Sequence, residues 1–373
     1  MKDRMDNTNT NTNTKNDEIL TREDREMFSK INSFMDLSNK IKSWVDNTSI
    51  IDFHNEIKEV IKGQDGLINV IMLIHDYMTG IANDEIIKNN ILIAAPSGCG
   101  KTATFRALRD YFSRLDIDIP ICQVDMSNIT EEGYKGADTV SIVEGLTVHE
   151  GAYGGVGIVF LDEFDKKLIP SIGSGIDVNK AVQSQILTLI EGRVMRAYGV
   201  TIDTNNTLFI AMGSFDSCRK TKKVEKHMGF GTELADEINH YEDITREDMI
   251  RMGAIEELLG RFTMIINYHE LSDESLDEII KHYVIKCMNS MRVGITKANL
   301  YDREIKKKAN GPYGCRIIKN LIYEDITNIR IELLTNPKEE RWVTRPNNMV
   351  AYMNKEGTLG ILMTEEEAKK YRK

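Results

Sequence analysis

The chain has 373 residues, 41% of them hydrophobic, which is enough to bury a substantial core and to divide into more than one domain. Its 48 Lys and Arg against 58 Asp and Glu leave a formal charge of −10, which argues against a general nucleic-acid binder. Five cysteines, at positions 99, 122, 218, 287 and 315, lack Cys-x-x-Cys spacing, and no stretch reads as a signal peptide or membrane span; the expectation is a reduced, cytoplasmic protein with neither zinc finger nor membrane partner.

Residues 1–20 include an Asn-Thr repeat running to Thr14 with no apolar face, and read as a disordered tail. Across 21–49, Met27, Phe28, Ile31, Phe34, Met35 and Leu37 predict a short helical element. Across 50–270, five apolar runs (91–95, 119–124, 157–161, 207–212 and 262–268) alternate with helical segments, the pattern of a five-stranded parallel α/β sheet. Past 271 the apolar positions take helical spacing, with Leu276, Ile279, Ile280 and Tyr283 and then Ile317, Ile318, Leu321 and Ile322. They predict a smaller, mainly helical second domain over 271–373.

Two motifs carry the chemistry. Ile91 to Thr102 reads as a buried strand, a turn and then a helix with Phe105, Leu108, Phe112 and Leu115 on one face. Backbone N–H groups of Ser97, Gly98, Cys99 and Gly100 would wrap phosphate oxygens, Lys101 would add a cation, and the Thr102 hydroxyl would ligate Mg²⁺. Ala95 stands where the strict pattern has Gly. Lys101 and a helix N-terminus beside Cys99 favour its thiolate, yet the preferred reading is the simpler one, a small residue that fits. In the second motif, Gly157 to Leu161 is an unbroken apolar strand followed by Asp162 and Glu163. Asp162 would hold Mg²⁺ and Glu163 would orient and deprotonate an attacking water. Together the motifs point to ATP hydrolysis.

From about Glu56 to about Pro337 the chain resembles the AAA+ protein unfoldases of the ClpX and HslU branch, through these motifs, Ile61-Lys62-Gly63-Gln64-Asp65, and the helix segment Gln183 to Gly192. The resemblance implies an AAA+ P-loop NTPase with a lid domain, ATP and Mg²⁺ as ligands, a homo-oligomeric ring (a hexamer in this family) and protein substrates. It also implies residue roles. Ile61 would pack on adenine, and Ser214 would contact nucleotide from the end of the 207–212 run. Tyr134, in Gly133-Tyr134-Lys135-Gly136, would grip substrate in the pore. Met228, Gly229 and Phe230 would dock a ClpP-type peptidase, and Arg261 would act as an arginine finger on a neighbouring subunit. One departure bears on catalysis: Tyr313 stands where the family places a sensing Arg, leaving Arg316, a helical turn on, to reach the nucleotide. The implied function is an ATP-dependent unfoldase that threads protein through the ring, with or without a peptidase. The alternative is a nucleotide-gated remodelling or scaffold protein that does not thread.

Overall fold

The computed structural model describes residues 21–129, 139–148, 153–173, 176–219, 221–228, 231–238, 242–291, 294–295, 315–335, 341–344, 349–353 and 360–364. Helix α1 (Arg22–Asn47) opens on a capping box, with the Thr21 side chain accepting from the Asp24 N–H and the Asp24 carboxylate accepting from the Thr21 N–H. Its C-terminal half joins the core. Leu37, Ile41 and Trp44 are buried, and Trp44 Nε1 donates to Tyr111 Oη at 2.9 Å while the Phe53 and Phe112 rings meet the indole edge-on. These contacts tie α1 to α2 (Ile50–Lys58) and α4 (Lys101–Arg114). The most apolar stretch of the sequence is α3 (Leu67–Ala82), a buried helix on which α1 packs. Its Tyr77 hydroxyl donates to the Asn206 carbonyl (2.6 Å) and accepts from the Gly157 N–H (2.9 Å), pinning it to the sheet. Among the described residues no helix is long and apolar enough to cross a membrane.

The five apolar runs become β1 (Ile91–Ala94), β2 (Ile121–Asp125), β3 (Gly157–Asp162), β4 (Thr207–Gly213) and β5 (Met264–Asn267). They form one parallel sheet in the order β5-β1-β4-β3-β2, with Ile91 in register with both Met264 and Ile210. Their runs show no polar alternation because both faces are covered. Ile91, Ile93, Ile158, Phe160, Leu208 and Ile210 point into the core under α1 to α4. Leu92, Ala94, Val159, Leu161, Phe209 and Ala211 point into a second core with α5 (Val178–Glu191), α6 (Arg246–Met252) and α7 (Glu256–Leu259). The result is a three-layer α/β/α sandwich in which every strand of the sheet ends at the same edge. A large apolar side chain buried this way contributes roughly 1.5–3 kcal/mol.

Two regions carry more strand than the apolar spacing suggests. The polar segment after Arg219, which no apolar run marks in the sequence, contains an antiparallel hairpin of Thr221–Met228 and Gly231–Ile238. Past residue 271, helices α8 (Asp273–Met291) and α9 (Arg316–Thr335) match the helical pattern, and a four-stranded sheet of Gly294–Ile295, Gly360–Thr364, Met349–Met353 and Arg341–Thr344 accompanies them. Leu276 and Ile280 of α8 and Ile318 and Ile322 of α9 are buried. The start of α8 lies against the 61–65 segment. A Cβ on Gly63, at φ +69°, would fall 2.3 Å from Ser275 Oγ, so close approach and backbone conformation both require glycine there.

Candidate nucleotide site

The phosphate loop begins where β1 stops. The Ala95 N–H donates to the Gly213 carbonyl at 3.0 Å, extending the β1–β4 pairing by one bond, and the chain then turns with Cys99 N–H on the Pro96 carbonyl (3.3 Å). Gly98 (φ 83°) and Gly100 (φ 106°) take left-handed conformations that side chains with a Cβ resist. Gly100 is the N-cap of α4 and supplies no side-chain cap, so the N–H groups of the first turn are left to an outside acceptor at the positive end of the helix dipole. That is an anion cradle. Lys101 is buried, and its Nζ donates to the carbonyls of Ala95 and Pro96, the latter at 3.0 Å, holding the loop closed on itself. Burial lowers the Lys101 pKa, opposed by the neighbouring Asp165, Asp162 and Asp216.

Ile61 is buried against this turn, its Cγ2 3.8 Å from where a Cβ on Gly100 would stand. Gln64 fixes the segment by exchanging two hydrogen bonds with the His269 backbone, at 2.9 and 3.0 Å. Of the two readings of Cys99, the structure favours the simpler one. The residue is buried, and burial pushes its thiol up to about 11, a shift that Lys101 and Arg219 only partly oppose; at neutral pH it is a protonated, small apolar residue.

β3 delivers the carboxylates to the same edge. Asp162 accepts from the Glu163 N–H at 3.0 Å through Oδ1 and from Gln123 Nε2 through Oδ2. The sequence did not single out Gln123; its only signal is an amide interrupting the apolar 119–124 run. Glu163 is exposed, with φ 54° and ψ 33°, a left-handed conformation unusual for a residue with a long side chain. Asp165, also overlooked, is buried, and its Oδ2 accepts from Ser214 Oγ (3.1 Å) and the Phe215 N–H (3.2 Å). It stitches the end of β3 to the end of β4. A Cβ on Gly213 would lie 2.7 Å from Asp165 Oδ1, which explains the side-chain-free residue at that point.

Ile61, Ser97 to Thr102, Asp162, Glu163 and Ser214 thus share one sheet edge, and Arg261 does not. The Arg261 carbonyl accepts from Asn90 Nδ2 (3.2 Å), and the Thr263 N–H donates to the Asn90 carbonyl (2.8 Å), which places Arg261 before the start of β1 and β5. The length of β1, roughly 13 Å for four extended residues, lies between Arg261 and the phosphate loop. Its half-exposed guanidinium pairs with Glu191 at 2.5 Å on the outside of the molecule. Tyr134, Gly229, Phe230 and Tyr313 lie outside the described residues; Met228 ends a strand in register with Gly231, and Arg316 opens α9, its side chain outside the described set.

The donor set fits a polyphosphate: a glycine turn at a helix N-terminus, a buried lysine, and a hydroxyl (Thr102) with a carboxylate (Asp162) as hard oxygen ligands suited to Mg²⁺. Residues 87–265 match a family model described as AAA domain (Cdc48 subfamily). A curated relative, the ATP-dependent Clp protease ATP-binding subunit ClpX of Treponema denticola, is 32% identical over an alignment 237 residues long that covers 55% of this chain and 55% of that protein. The chain therefore spans about half the length of the curated relative it matches.

Proposed function

We propose, on its similarity to an AAA domain family and to a ClpX subunit, that the chain is a ClpX-like AAA+ protein that hydrolyses ATP within a homo-oligomeric ring and uses the cycle to unfold protein substrates by drawing them through the central pore. The observation that carries the ring is the separation of Arg261 from its own phosphate loop across the sheet. A guanidinium on the far edge serves a nucleotide only if a second copy brings it there, as a cyclic head-to-tail assembly does. Hydrolysis follows from the shared edge. The α4 N-terminus and Lys101 hold the phosphates, Glu163 takes the proton of the attacking water, and the neighbour's Arg261 counters the charge that builds on the transferred phosphoryl group. Such fingers are worth about 10³–10⁵ in rate. Mg²⁺, held by Thr102 and Asp162, would supply charge neutralisation on the phosphate oxygens.

Threading is supported by Tyr134 between flanking glycines, where one flat ring presses on a polypeptide of any sequence. Similarity to a Clp protease ATP-binding subunit supports a peptidase partner, and the same reading has Met228, Gly229 and Phe230 dock it, six copies in the ring and the cytoplasm as the site of action. The test is ATPase rate measured beside unfolding of a tagged fluorescent protein. The parent should do both, and Glu163→Gln should bind ATP and do neither. Hydrolysis without unfolding would favour a remodelling or scaffold role.

A further inference from the structure

We propose that Arg219 is a second cation of the nucleotide site, contacting the terminal phosphate of a bound nucleoside triphosphate from within the same subunit. The inference rests on the ATP reading above and adds a residue to it. Arg219 follows β4 after a short 3₁₀ turn, Asp216–Cys218, and its side chain is only 1% exposed. Its guanidinium is held at two corners: Nε donates to the Ser214 carbonyl and Nη1 to the Glu242 carbonyl, both at 3.2 Å. Asp216 gives a partial counter-charge 3.6 Å from Nε. The third corner is different. Nη2 is buried and has no hydrogen-bond partner among the described residues.

Burying a guanidinium with idle N–H groups is costly, and such a group in a folded protein asks for a ligand. Position says which ligand. Ser214 follows Gly213, whose carbonyl takes the Ala95 N–H, so the clamp on Ser214 sets Arg219 at the strand edge from which the phosphate loop springs. Its positive charge reaches the loop itself, acting on the Cys99 thiol between Gly98 and Gly100. An anion seated on the first turn of α4 would offer oxygens to Nη2. Lys101, the loop's own cation, shares its ammonium with the Ala95 and Pro96 carbonyls, and the sequence has Tyr313 in place of a second cation. Arg219 supplies a rigid, permanently charged fork beside the Lys101 ammonium.

The test is calorimetric titration of ATP and of ADP into the full-length chain carrying Glu163→Gln to block turnover, with and without Arg219→Ala, Arg219→Lys and Lys101→Ala. Losing a charge-assisted hydrogen bond to the terminal phosphate should weaken ATP about ten- to a hundredfold while ADP stays within about twofold, and Arg219→Lys should recover part of the loss. A purely structural clamp would weaken both nucleotides alike or lower the unfolding temperature with the ATP/ADP ratio unchanged, and either result overturns the proposal. If Arg219→Ala does not fold, the ratio in Arg219→Lys and Arg219→Gln decides in the same way. A parent that binds no ATP overturns this inference and the ATP reading together; a parent that binds ATP through Lys101 with an Arg219-independent ratio overturns this inference alone.

Discussion

Replacing Glu163 with glycine should make the protein more stable and leave it inactive. Glu163 holds φ 54° and ψ 33° at the end of β3 with its side chain in solvent, so its removal forfeits no packing. A left-handed conformation costs an L-residue with a Cβ about 1–2 kcal/mol. Glycine escapes that cost and returns about 0.4–1 kcal/mol through the greater freedom of its unfolded chain. The net gain is about 0.5–1 kcal/mol, or roughly 1–4 °C in melting temperature for a domain of this size. Glu163→Gln keeps both the shape and the strain, and is the proper reference. Urea and thermal unfolding without nucleotide, run beside ATPase assays, should therefore rank Glu163→Gly above Glu163→Gln in stability with both inactive. A glycine variant no more stable than the glutamine variant would refute the idea that strain is kept here for function. One that hydrolyses ATP at the parent rate would refute the role of the carboxylate.

Other consequences follow from single groups. Lys88 donates to the Ile190 (2.6 Å) and Thr204 (3.0 Å) carbonyls, and burial lowers its pKa from 10.5 to about 8, with Asp203 opposing. The folded value lies below the unfolded one, so the unfolded chain binds more protons between them and stability should rise with pH across that window; in Lys88→Met the rise should be missing from urea midpoints taken over the same range. With its thiol raised to about 11, Cys99 should react slowly with alkylators at neutral pH, leaving ATPase activity of the parent and Cys99→Ser alike; rapid inactivation blocked by ATP and absent in Cys99→Ser would contradict this. Tyr134→Ala should retain ATPase activity yet lose unfolding of a stable substrate, and equal unfolding would remove the pore role.

What could be read from the sequence, and what could not, follows from the range of the interactions. The five strands of the central sheet were legible because burial on both faces writes an unbroken apolar run, as in Gly157 to Leu161. The phosphate loop was legible because Gly98 and Gly100 take conformations that few other residues accept. The hairpin after Arg219 was not, since it has no apolar periodicity. Its register instead places Lys222 opposite Glu237, Lys223 opposite Asp236 and Lys226 opposite Glu233, a complementarity visible only once the strands are paired. The partners of the site residues were hidden for the same reason. Gln123 on Asp162 and Asp165 on Ser214 join strands far apart in sequence. The choice between the two readings of Cys99 needed the structure, because the nearby cation was legible in the sequence and the burial that outweighs it was not.

The central claim, a site completed by a second copy, is tested most directly by mixing two inactive proteins, Arg261→Ala and Glu163→Gln, and measuring ATP hydrolysis. Some interfaces in a mixed ring pair an intact Glu163 with an intact Arg261, about one in four for random placement at equal amounts in a cyclic assembly. The account predicts recovery to about that fraction of the parent rate, from components that hydrolyse little alone. No recovery, in rings shown by cross-linking to contain both proteins, would contradict it.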